Sequence, residues 1–88
     1  MKIYVVMGMC GEYSDRTEWP VKAFTDEGKG KALVENATRR AAELKPIRDE
    51  NPYFNDDKIA KQNEFDPGMK FDYTGTRYYL MPVEMDFE

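Results

Sequence analysis

The chain has 88 residues, 34% charged and 41% hydrophobic, with a net charge of −4, one cysteine and no histidine. That length supports a single domain, 1–88, near the lower end of sizes that bury a self-sufficient core. A lone cysteine excludes an internal disulfide and multi-cysteine zinc or iron sites, and the missing histidine removes the commonest general base near neutral pH, the Ser/His and Cys/His pairs, and imidazole metal ligation.

Residues 2–10, KIYVVMGMC, alternate Ile3, Val5, Met7 and Met9 with Lys2, Tyr4, Val6 and Gly8. This predicts a strand, and apolar residues on both of its faces predict a central one. The run GEYSDRTEW, Gly11 to Trp19, predicts the connection of a β-hairpin, with Gly11 as the break and Ser14-Asp15 as a local turn. Residues 18–25, EWPVKAFT, predict the second strand; Pro20 cannot donate to a ladder, which puts that strand at a sheet edge or at least frees one of its sides near Pro20. Leu33, Ala37, Ala41 and Leu44 recur at helical spacing, widened by Val34 and Ala42. Lys29 to Leu44 is therefore a predicted helix, capped by Thr25 or Asp26 and stopped by Pro46. The basic run Gly28-Lys29-Gly30-Lys31 lacks P-loop spacing and reads as a frayed first helical turn. Residues 47–68 predict a long, partly irregular connection with a short helix starting near Asn55-Asp56-Asp57 and a bend at Asp66-Pro67-Gly68. Met69 to Tyr73 and Thr76 to Asp86 predict two closing strands joined at Thr74-Gly75, with Pro82 marking a bulge or a free edge.

The order β, β, α, short helix or loop, β, β predicts an α+β fold: a small antiparallel sheet with one main helix packed on one face, a two-layer sandwich. The aromatic set Tyr53, Phe54, Phe65, Phe71, Tyr73, Tyr78 and Tyr79 exceeds what one helix covers. Either part of it is exposed on the open sheet face as a contact patch, or residues 47–68 fold over and bury it.

Little in the chain points to catalysis. Cys10 ends a hydrophobic strand with no histidine to activate it, the setting of a buried, inert thiol. Glu12, Asp15 and Glu18 share one loop but match no calcium-loop spacing, and Arg16 sits among them. The pairs Asp49-Glu50 and Asp56-Asp57 have no partner that would converge them on a scissile bond. The expectation is no catalytic residue, no metal and no cofactor. Residues 22–48 carry a net charge of +3 and residues 49–88 a net of −6, so two differently charged faces are expected. Lys29, Lys31, Arg39, Arg40, Lys45 and Arg48 could form a basic helix face for nucleic acid, against which the acidic pI of 4.9 argues. The longest apolar run, Ile3 to Met7, is far short of the ~20 residues of a membrane span, and no signal-peptide pattern is present. A cytoplasmic protein is expected.

At KIYVVMGMCGEYSDRTEWPVKAF and again at DYTGTRYYLMPVEM the chain resembles small proteins encoded by tailed bacteriophages and prophages, with their GEYSD-like hairpin loop and TGTxYY-type closing strand. Residues 46–68 fall outside that pattern. The resemblance implies a non-enzymatic regulator or inhibitor of a host protein or protein complex, as anti-CRISPR and other anti-defence proteins are. The surface expected to bind is acidic and aromatic: Glu12, Tyr13, Asp15 and Glu18 in the hairpin loop, with Asp49, Glu50, Asp56 and Asp57 on the long connection. Such carboxylates could enter a positive channel in place of nucleic-acid phosphates. The alternatives are a nucleic-acid-binding accessory protein using the basic helix, or a virion or assembly component; a homodimer is compatible with all three.

Overall fold

The computed structural model describes residues 1–50, 59, 61–70 and 74–86. Strand β1, Lys2–Cys10, lies in the centre of a three-stranded sheet of order β2-β1-β3, with β2 at Thr17–Phe24 and β3 at Arg77–Glu84, both antiparallel to it. The central place of β1 and the edge place of the proline-bearing second strand are as the sequence predicts. Val6 pairs with Lys22 but Met7 with Pro20, so Val21 is an extra residue. This bulge sits beside the proline and lets Val21 pack toward the core. The opposite edge, β3, carries Pro82, so each free edge holds a residue that cannot donate to an added strand.

Helix α1, Glu27–Glu50, packs on one face of the sheet, chiefly over β3 and β1. Asp26 is its N-cap: Oδ1 accepts the Lys29 N–H at 3.1 Å, satisfying a donor that the helix itself cannot. Ala37, Ala41 and Leu44 are buried at the predicted spacing, but Ala42 is exposed rather than part of the stripe. Two expectations are corrected here. Gly30 is no frayed turn but a buried helical residue; a Cβ there would lie 2.7 Å from a Leu80 methyl, so the missing side chain sets how closely α1 approaches β3. Pro46 does not stop the helix. Pro46 and Ala42, the residue whose carbonyl loses its donor, are both exposed, and water can serve that carbonyl.

The sheet has three strands among the described residues. Met69 and Lys70, the described part of the strand predicted over 69–73, lie outside it. Turn bonds hold this segment instead: Gln62 N–H to Ile59, Asp66 N–H to Asn63 and Met69 N–H to Asp66, at 2.9 to 3.1 Å. The short helix predicted near Asn55-Asp56-Asp57, and the aromatics Tyr53, Phe54, Phe71 and Tyr73, lie largely or wholly outside the described residues. The antiparallel sheet under one main helix is nevertheless the α+β fold predicted.

Residues 61–70 dock through a buried polar cluster. Asp66 Oδ2 accepts from Trp19 Nε1 at 2.9 Å and from the Tyr78 hydroxyl at 2.8 Å, joining the segment to β2 and β3. Asn63 donates toward the Ala37 carbonyl, the Tyr78 oxygen and Met69 Sδ, each at 3.4 Å, and accepts the Phe65 N–H at 3.1 Å. Asn63 is fully buried and Asp66 is 3% exposed. No buried polar side-chain atom among the described residues is left without a partner. Trp19 lies across Gly8, where a Cβ would come within 2.6 Å of the indole, so this glycine gives the ring its seat. Among the described residues no helix is long and apolar enough to cross a membrane.

Candidate functional site

Strand alternation and register sort the sheet residues into two faces. Val6, Cys10, Trp19 and Tyr78 face α1 and the 61–70 segment and are at most 8% exposed. Ile3, Val5, Met7 and Met9 face the other way, flanked by Tyr79, Met81 and Val83 on β3 and by Ala23 and Pro20 on β2. These residues are half-buried or exposed, Met81 at 38%. The shortest Cα extent is 16 Å, enough for a sheet and one further layer at about 10 Å spacing but not for two. Among the described residues no element packs on this second face, which has an apolar, methionine-containing centre.

One end of this face is closed by the hairpin. After Gly11, held at φ +88°, the chain makes a single 3-10 turn, Tyr13–Asp15, fastened by the Asp15 N–H on the Glu12 carbonyl at 3.1 Å. An added Cβ on Gly11 would lie 2.3 Å from the Asp15 carbonyl oxygen, so only glycine fits this entry to the turn. Arg16 Nη2 donates to Glu18 Oε1 at 3.0 Å, and the same oxygen accepts the Tyr79 hydroxyl at 2.8 Å. Tyr79 thus reaches from β3 across β1 to β2. Its hydroxyl, followed by Arg16, holds the Glu18 carboxyl below its ordinary pKa, and the same hydrogen bond pushes the Tyr79 hydroxyl above its own. Arg77 Nη2 donates to the Gly11 carbonyl at 2.8 Å. Arg16, Arg77, Glu12, Met9 and Gly11 line an open pocket of about 420 Å³ at this corner.

The sequence-predicted acidic residues that the structure describes fall in two places, the hairpin loop and the end of α1. Glu12 and Asp15 are exposed in the loop, Glu18 is bound as described, and of Tyr13 only the backbone turn is described. Asp49 lies on α1, ion-paired to Lys45 at 2.8 Å and Arg48 at 3.5 Å, and Lys45 chiefly holds its carboxyl below the ordinary range. Glu50 is exposed at the helix end; Asp56 and Asp57 lie outside the described residues. Thr74-Gly75 connects the two regions: Gly11 N–H donates to Thr74 Oγ1 at 2.9 Å, while the Lys45 side chain comes within 3.5 Å of a Cβ position on Gly75. The helix cations are likewise interleaved with acids, in the pairs Lys31–Glu27, Arg40–Glu43, Arg40–Glu64 and Lys45–Asp49. Arg39 instead donates to Asn36 Oδ1 at 3.0 Å.

Two features escaped the sequence reading. Arg77 is a lone cation opening a strand, and only the register brings it beside Gly11. Asp66 reads as a loop acid at a Pro-Gly bend, and its partners lie 47 and 12 residues away. Its cluster is architectural: the Tyr78 hydroxyl, buried and donating to Asp66, is pushed far above the ordinary tyrosine range, first by burial. Cys10 is buried, as expected, and among the described residues no group of three His, Cys, Asp or Glu could hold a metal. Comparison with family models, curated proteins and solved structures gives no match.

Proposed function

We propose that the chain is a non-enzymatic binding protein that inhibits or modulates a protein machine of its host, engaging it through the open sheet face and the acidic hairpin loop at that face's end. The observation that carries this reading is the uncovered face itself. Ile3, Val5, Met7, Met9, Met81 and Val83 form a contiguous apolar surface that no described element covers, whereas α1 and residues 61–70 pack on the other face. Exposed apolar surfaces with a polar rim mark protein contacts, and methionine adapts its shape to a partner at low cost. The rim is supplied by Glu12, Asp15 and Glu18 with Tyr79, which keeps the acidic and aromatic character expected of the contact surface. Pro20 and Pro82 disfavour strand addition at either edge, so face contact is the favoured mode. The inhibitor role, the phage origin and the host cytoplasm as the meeting place draw on the resemblance of the opening and closing segments.

Affinity capture of host proteins on the tagged chain tests this reading, with Met81→Glu as the comparison. Met81 is exposed, so the substitution should leave the fold intact by circular dichroism while introducing a charge into the contact centre. Specific capture by the parent chain and its loss in the variant are the expected results. Undiminished capture by a folded Met81→Glu chain contradicts the reading.

A further inference from the structure

The hairpin end of the open face holds a guanidinium whose charge is not cancelled by the group it touches. Arg77 donates through Nη2 to the Gly11 carbonyl at 2.8 Å, a neutral acceptor. That carbonyl belongs to a fixed residue, with φ +88° and an N–H engaged by Thr74 Oγ1. One nitrogen of the fork is thus tied to the backbone, which orients the rest of a planar group with five N–H donors. Arg16 lines the same pocket but is ion-paired with Glu18 at 3.0 Å. Glu12 brings a carboxylate to the pocket wall. Met9, on the open face, forms its apolar side.

We infer that this pocket is a carboxylate anchor: the protein segment that covers the open face places an Asp or Glu side chain on Arg77, next to apolar residues that lie on Met9 and Met7. Complementarity of charge argues for one carboxylate rather than a phosphate chain. With Glu18 on Arg16, Arg77 is the pocket's one cation without an ion pair among the described residues, and Glu12 on the wall repels any further negative charge, so a polyanion meets as much repulsion as attraction. A planar carboxylate fits a guanidinium edge in a bidentate pair, and the volume of about 420 Å³ admits a whole acidic side chain. The inference rests on the open face being the contact surface, and it names the chemistry of what covers it.

The test is a titration of the full, isotope-labelled chain with acetyl-Leu-Glu-amide, followed by the amide signal of Gly11 and the Nε signal of Arg77. Acetyl-Leu-Gln-amide and inorganic phosphate are the comparison probes. The Glu peptide should move both signals and bind about tenfold tighter than the Gln peptide. Arg77→Gln should abolish the response, and Glu12→Gln should strengthen it. Equal response to the Gln peptide, a stronger response to phosphate, or an unchanged response in a folded Arg77→Gln chain overturns the proposal. So does concentration-dependent movement of the open-face signals without any probe, which would make a second copy of the chain the occupant. Met81 lies four residues along β3, about 13 Å from Arg77, so the two readings fail separately. If Met81→Glu leaves capture intact while the Glu peptide still binds at Arg77, the contact face falls and with it the covering segment, while the carboxylate chemistry of Arg77 stands. Loss of capture with no response at Arg77 is the reverse.

Discussion

On the helix side of β1, Val6 is fully buried and Cys10 is 6% exposed; on the other side, Met7 and Met9 are half-buried with no described element above them. The two sides are similarly apolar in sequence, yet one is packed by α1 and residues 61–70 and the other has no described element packed on it. The covered side adds a closed polar cluster, Trp19, Asp66, Tyr78 and Asn63, to its apolar area. The open side has polar groups only at its rim. Stability is thus concentrated on one face, and the other is free to be spent on contact.

Breaking the covered face should have the largest effect. Asp66→Ala leaves the Trp19 N–H and the Tyr78 hydroxyl without their buried acceptor, and a loss of about 3 kcal/mol is expected in urea denaturation. A loss below ~1 kcal/mol would show that the cluster does not hold the segment down. Gly8→Ala comes next, because the new methyl meets the Trp19 ring; about 2 kcal/mol and an altered tryptophan emission are expected.

The open face should respond to pH rather than through packing. Glu18 has a lowered pKa, so its contribution is present above the unfolded carboxyl range and is lost as pH falls through the folded value. Tyr79 has a raised pKa, so its contribution is full below the unfolded tyrosine value and is lost as pH rises through the folded one. Tyr79→Phe should remove the alkaline loss and the larger part of the acid one, while changing mid-pH stability least of the three substitutions. A thermal melting series across pH reads both limbs, and identical profiles for parent and variant would show that the bond spanning the open face is not formed.

Local rules made most of the fold legible. Period-two alternation placed β1, Pro20 assigned β2 to an edge, and the Asp26 cap with the Ala37, Ala41, Leu44 spacing placed the helix. Pro46 misled because its penalty depends on where the orphaned carbonyl points, which the tertiary fold decides. Met69 was read as strand, but its N–H is used by the Asp66 carbonyl and its sulfur by Asn63. The site was legible in part. The hairpin loop follows from its break and turn residues, but which sheet residues face away from α1 depends on the register, and Arg77 gains its place from a bond to a residue 66 positions away. Sequence counts charges without their partners; Glu18 and Asp49 are both matched within four residues of chain.

The central claim is that the open face is the contact surface, and methionine oxidation tests it within one molecule. In the free chain, mild peroxide should oxidise exposed Met81 ahead of Met69, which is 3% exposed beneath Asn63. In the complex captured from the host, Met81, Met7 and Met9 should become protected while exposed Met1 continues to react. Oxidation of Met7, Met9 and Met81 at the free-chain rate in that complex would contradict the account.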